Sequence, residues 1–165
     1  WIRPLMNCSN RMRKTCNGSC WTSKRNTAPP GNGSAPLRGK AMVKSILIVD
    51  DSCTARMMIR RCLEIAGYAE ALFREASHGR EALELLRRES ADLVLTDLNM
   101  PEMNGKTFIR HMKSSPKLFT IPVIVISSIT NEREEEELRA QGVSAVIRKP
   151  LSPMMFIDAM KTIET

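Results

Sequence analysis

Five times along this chain a short apolar run is followed by a segment with helical spacing. The runs are "SILIVD" (45–50), "EALFRE" (70–75), "DLVLTD" (92–97), "IPVIVIS" (121–127) and "SAVIRK" (144–149). Runs that are apolar and β-branched without alternation read as strands buried on both faces. After the first, Ala55, Met58, Ile59, Cys62, Leu63 and Ala66 mark one face of a helix over 52–66, and Gly67 stops it. Further helices are predicted over 78–89, with Ser77 as cap, then over 105–114 and 130–141. The last runs from Ser152, the cap, and Pro153, the first helical position, to about residue 163. Strict β-then-α alternation calls for a single α/β domain, a five-stranded parallel sheet covered on both faces. Right-handed crossovers make it doubly wound.

The formal charge of +7 suggests nucleic acid or a membrane surface, but its distribution argues against both. Residues 1–41 carry eight Lys/Arg and no acid, which leaves seventeen basic against eighteen acidic residues in 42–165. The basic excess belongs to the segment outside the folding unit. That segment is rich in Asn, Ser, Gly, Pro and Thr, has no apolar period, and is expected to be a disordered N-terminal extension. Met42 opens the first well-patterned stretch, which leaves open a native start there. Cys8, Cys16 and Cys20 of the extension have no partner pair or His at zinc-ligand spacing. Cys53 and Cys62 lie too far apart on one helix to bridge. An odd cysteine count, with no signal-peptide core and no bilayer-length apolar run, points to a reducing cytoplasm. No specific nucleic-acid contact and no membrane contact are expected.

In doubly wound sheets ligands bind outside the carboxyl ends of the strands. Strand one ends in Asp50 and Asp51, strand three in Asp97, strand four in Ser127 and Ser128, and strand five in Lys149 and Pro150. Singly, each has an ordinary explanation. Asp97 is a common turn residue, Asp50 and Asp51 are possible caps, Ser127 is a loop hydroxyl and Lys149 a solvated charge. Together on one rim they select a chemistry. Crowded carboxylates call for a hard divalent cation, and Mg²⁺ takes one or two of them while keeping waters. A carboxylate beside such an ion can attack phosphorus. An ammonium and a hydroxyl can neutralise and bind the phosphoryl oxygens.

The pieces "ILIVDDS", "LVLTDLNMPEMNG", "IPVIVISS" and "VIRKP" resemble the receiver domain of two-component response regulators, of the single-domain CheY-like kind. The spacings match as well, 30 residues from Asp97 to Ser127 and 52 from Asp97 to Lys149. The resemblance spans Lys44 to about Ile163. It implies a flavodoxin-like sheet of order 2-1-3-4-5 and a cis Lys149–Pro150 bond. It implies Asp97 as phosphoacceptor and Mg²⁺ held by Asp50, Asp51, Asp97 and the Asn99 backbone carbonyl. Ser127 would be the switch hydroxyl and Lys149 the phosphate-pairing cation. A sensor histidine kinase or phosphotransfer protein would supply the phosphoryl group in a phosphorelay, chemotaxis being one such setting. A downstream protein would dock on the face formed by helix four, strand five and helix five. The sequence departs from the family at Val146, where an aromatic residue often stands, and at Ile129, where a polar one often does.

The run "NEREEEE" (131–137) reads as a solvated helix face with Leu138 as its inward anchor, and few apolar contacts mean low local stability. Met154, Met155 and Met160 are expected mostly in the core. His78 and His111 are expected on helix surfaces and not as ligands. A competing reading is an enzyme, a Mg²⁺-dependent phosphohydrolase with an aspartyl-phosphate intermediate. No insertion for a substrate lid and no second acid two residues after Asp97 support it. The expectation is therefore a signalling module and not an enzyme.

Overall fold

The computed structural model describes residues 43–128 and 131–163. The readings of the extension 1–41 and of Ile129 lie outside these residues. In chain order the elements are β1 (Ser45–Val49), α1 (Cys53–Leu63), β2 (Leu72–Ala76), α2 (Gly79–Arg88), β3 (Leu93–Asp97), α3 (Gly105–Ser114), β4 (Val123–Ser127), α4 (Glu132–Ala140), β5 (Ala145–Arg148) and α5 (Pro153–Ile163). All five strands pair in parallel, in the order β2-β1-β3-β4-β5. This is the doubly wound parallel sheet that the alternation calls for, in the flavodoxin-like order that the resemblance implies.

The period-2 alternation of strand side chains divides the core between two faces. Leu47, Val49, Val94, Val123 and Val125 face α2, α3 and α4, where Ala82, Phe108, Met112 and Leu138 cover them. Ile46, Ile48, Leu95, Ile124 and Ile126 face α1 and α5, against Ile59, Leu63, Phe156 and Met160. The three middle strands are buried almost throughout, whereas β2 and β5 at the edges are partly exposed.

Four local expectations are corrected. Helix α1 runs regularly only to Leu63 and passes into a π-helical turn, Glu64–Tyr68, in which Gly67 takes φ 103°. That left-handed turn favours glycine, so Gly67 still marks the end. Met58 is 52% exposed, because it stands about 100° around the helix from the stripe of Ile59, Cys62 and Leu63. Met154 and Met155 are also exposed, while Met160 is buried. Met154 points away from the α5 stripe of Phe156, Ala159 and Met160, and Met155 lies on its flank. The cap of α2 is His78, not Ser77. His78 Nδ1 accepts from the Glu81 N–H at 3.3 Å, while Ser77 donates both its N–H and its hydroxyl to Glu81 Oε2 at 2.7 Å. This reciprocal exchange resembles a capping box. His111 is on the exposed surface of α3 as expected.

Candidate functional site

The carboxyl edge of the sheet gathers the rim residues from the ends of separate strands. Asp50 follows β1 and is turned inward. Its Oδ1 accepts the Ser52 N–H at 2.8 Å, and Ser52 in turn caps α1 through the Ala55 N–H. Asp50 and Asp51 are therefore not the caps of α1. Arg56, one turn into α1, donates to the Asp50 carbonyl at 2.8 Å and pairs with Glu75 of β2 at 2.7 Å. The end of β1 is thus tied to the neighbouring strand.

Asp97 ends β3, and both its oxygens have partners. Oδ1 accepts from Lys149 Nζ at 3.0 Å and Oδ2 accepts the Asn99 N–H at 2.9 Å. The loop that follows returns at once, with the Gly105 N–H donating to the Leu98 carbonyl at 3.0 Å. Here glycine is required. A Cβ at position 105 would lie 2.2 Å from the Asp97 carbonyl oxygen and 2.8 Å from the Leu98 Cα. Lys149 follows β5. Its N–H donates to the Ser127 carbonyl at 3.0 Å, and its peptide bond to Pro150 is cis, as expected.

The ammonium of Lys149 also faces Asp50 Oδ2 at 3.7 Å, a distance too long for a hydrogen bond. Asp50 Oδ2 is buried and has no hydrogen-bond partner. Burial raises the pKa of Asp50, and the nearby Asp97 and Asp51 charges add to it, against the Ser52 N–H and Lys149. Burial works against the Lys149 ammonium too, but the hydrogen bond and charge of Asp97 and the charge of Asp50 outweigh it and raise its pKa. Lys149 is held as a cation between two acids.

Asp50, Asp97 and Lys149 are therefore in one cluster, and Ser127 is buried at the end of β4, one residue past the Ile126 that pairs with Asp97. Asp51, Asn99 and Ser127 line a cavity of about 670 Å³, together with Asn104, Lys106 and Glu134. Asp97 is not in its wall, and its side chain is only 7% exposed. Asp97 is thus a covered carboxylate and not an open one. Lys149 and the returning β3–α3 loop cover it. Among the described residues no three His, Cys, Asp or Glu side chains form a ready metal cage. An all-protein cage is not what Mg²⁺ requires, since it keeps several waters. An orphaned, buried carboxylate oxygen beside a second acid fits a hard cation. Arg56, Lys106 and Glu134 have no site role in the sequence reading, because they meet the site through long-range packing.

A carboxylate pair and a lysine at the carboxyl edge of a doubly wound parallel sheet define a receiver-type signalling domain. The chain belongs to the response regulator receiver domain family of two-component signalling, whose model matches residues 46–161. It is 35% identical over 121 residues to the polar-differentiation response regulator DivK of Brucella ovis, covering 73% of this chain and 96% of that protein. Among solved structures it is similar to the chemotaxis response regulator CheY4 of Vibrio cholerae, with 27% identity and a TM-score of 0.65 over 73% of this chain and 98% of that one. The signal receiver domain of a signal transduction histidine kinase from Syntrophus aciditrophicus is 31% identical, with a TM-score of 0.63 over 73% and 89%. The first of these is named for polar differentiation and the second for chemotaxis. No helix among the described residues is long and apolar enough to cross a membrane.

Proposed function

We propose that this chain is a phosphorylation-controlled switch in which Asp97 accepts a phosphoryl group from a histidine kinase or phosphotransfer protein. One observation carries the reading. Lys149 holds Asp97 at 3.0 Å while a second, buried acid, Asp50, keeps one oxygen unpartnered. In the reaction an Asp97 carboxylate oxygen forms a bond to phosphorus as the donor's P–N bond breaks, and the departing imidazole takes up a proton. Lys149 stays charged and turns to the phosphoryl oxygens, which carry more negative charge than the carboxylate they replace. Ser127, at the end of β4, supplies a hydroxyl to another of them. A Mg²⁺ ion, held by Asp50, Asp51, Asp97 and the Asn99 carbonyl, would neutralise the remaining charge.

The output partner is a protein docking on α4, β5 and α5. There Arg139, Val146, Arg148, Met155, Asp158 and Ala159 line a groove of about 530 Å³. The free thiols of Cys53 and Cys62 fit a cytoplasmic setting. The test is intact mass after incubation with Mg²⁺ and a small acyl phosphate. Wild type gains one phosphoryl group and Asp97→Asn gains none. Equal labelling of the mutant would remove Asp97 as acceptor, and continuous release of inorganic phosphate from a range of external phosphoesters would mark a phosphohydrolase instead.

A further inference from the structure

Helix α4 is joined to the phosphoryl pocket by one ion pair. Lys106 Nζ, in the first turn of α3, binds Glu134 Oε1 of α4. Both residues line the cavity that Asp51, Asn99 and Ser127 also line. The base of Lys106 is fixed close to Asp97, because the preceding Gly105 is packed against the Asp97 carbonyl with no room for a Cβ. Its far end is not fixed, since the side chain is 41% exposed and its partner's 34%. Exposed ion pairs of this kind are weak and exchange partners readily.

We propose that Lys106 is a second cation of the phosphoryl site, held by Glu134 before phosphorylation and drawn to the phosphoryl oxygens after it. The proposal rests on the reading of Asp97 as phosphoacceptor. Before transfer each Asp97 oxygen already has a donor, Lys149 or the Asn99 N–H. Transfer adds acceptor oxygens and negative charge, which draw a nearby mobile ammonium as well as Lys149, the Ser127 hydroxyl and a divalent ion. Lys149 does not contribute to the wall of the cavity that Asp51, Asn99 and Ser127 line, and the cation in that wall is Lys106. Its departure leaves Glu134 without its partner, and α4 then keeps one buried residue, Leu138, and the pairing of Glu135 with Arg148 of β5 at 2.8 Å. A charge change at Asp97 thus loosens α4 directly, and the route does not use an aromatic side chain at position 146.

The experiment combines phosphoryl uptake by intact mass, with Mg²⁺ and a small acyl phosphate, with amide hydrogen exchange over 132–140 in the full chain. In wild type, uptake at Asp97 is expected to raise exchange in that segment several-fold. In Lys106→Gln and Glu134→Gln alike, exchange should already be raised without donor and should rise no further on uptake. The two variants should separate in rate. Lys106→Gln takes up the phosphoryl group several-fold more slowly than wild type, and Glu134→Gln, which frees Lys106, takes it up faster. Equal rates in the two variants, or α4 exchange in Lys106→Gln that still responds to uptake as in wild type, would overturn the proposal. Absence of uptake by wild type would instead overturn the Asp97 assignment on which it rests.

Discussion

The corner around Asp97 and helix α4 are neighbours held by opposite means. At the corner, backbone groups do most of the fixing. The Asn99 N–H meets Asp97, the Ser52 N–H meets Asp50, and the Gly105 backbone is packed on the Asp97 carbonyl. Helix α4 has one buried side chain, Leu138, and its other ties are charged pairs near or at the surface. Backbone contacts in a packed core have one geometry, and surface ion pairs have several. A protein that must keep its reactive group fixed and still move an output element gains from this division. The arrangement predicts that damage at the corner is global and that damage in α4 stays local.

The largest expected effect breaks the corner. In Gly105→Ala the new methyl group would lie 2.2 Å from the Asp97 carbonyl oxygen, and the obstacle is backbone that cannot rotate away. A loss of about 3 kcal/mol follows, at the upper end of ordinary overpacking costs. The urea midpoint should fall with an unchanged slope, and phosphoryl uptake should fall with it. A midpoint within 0.5 M of wild type, given a slope of about 1–3 kcal/mol per M, would show that the corner is more yielding than its packing indicates.

The matching change in α4 is Leu138→Ala, which removes the sole buried anchor of that helix. A truncation of this kind costs about 2–3 kcal/mol. Because the helix has few other apolar contacts, the loss should appear as local opening. Amide exchange over 132–140 should rise by roughly thirty-fold or more, at tenfold per 1.4 kcal/mol, while exchange in β1 and β3 stays near wild type. An equal rise in the central strands would mean that α4 unfolds only with the whole domain.

The contrast between these regions explains what is legible in the sequence. Strand content and the rim residues were legible because they depend on short-range pattern: unbroken apolar runs, and polar residues where those runs stop. Asp50, Asp97, Ser127 and Lys149 fall at or just beyond the strand ends that the pattern marks. Orientation was not legible. Asp97 lies where the pattern puts it, but its cover by Lys149, which comes from 52 residues away, has no local signal. Spacing puts Met58 on the apolar face of α1 and residue type puts Met154 and Met155 in the core, yet all three are exposed, Met58 beside its stripe, Met154 opposite its own and Met155 on the flank. Ser77 matched a cap by composition, yet the extended backbone at His78 gives that role to its neighbour. The Lys106–Glu134 and Arg56–Glu75 pairs had no sequence signal, because each joins elements that meet only once the sheet is assembled.

A smaller effect of opposite sign sharpens the account of the corner. The pKa of Asp50 is raised, chiefly by burial, so its ionised form opposes folding at neutral pH. The folded chain holds this proton more tightly than the unfolded one. The group therefore costs stability above its folded pKa, and that cost disappears as the pH falls through the folded pKa toward 3.8. Without divalent cation, Asp50→Asn should stabilise the neutral-pH fold by about 1 kcal/mol, near the low end of the cost of an unsatisfied buried polar atom. The advantage should shrink toward zero in acid, where both chains carry a neutral side chain there. Thermal melts from pH 7 down to pH 4 read the difference. A destabilised mutant at pH 7 would show that the Lys149 pair outweighs burial.

The smallest expected stability change is the one that best separates structure from function in the acidic cluster. Asp51 stands next to Asp50 in sequence, but its environment differs. It is exposed, and Ser52 rather than Asp51 caps α1. Its charge also disfavours ionisation of Asp50. Removing it in Asp51→Ala takes away no buried contact, relieves some repulsion and leaves the cap in place. The stability of the metal-free chain should therefore stay within about 0.5 kcal/mol of wild type, as for ordinary surface substitutions, with any shift upward. Phosphoryl uptake in Mg²⁺ should nevertheless fall by at least about tenfold, the effect of losing about 1.4 kcal/mol of transition-state stabilisation. Urea titration without divalent cation and intact mass with it give the two readings on one preparation. A metal-free loss above about 1 kcal/mol would assign Asp51 to the fold, and unchanged uptake would remove it from the cation site while leaving Asp50 and Asp97 in place.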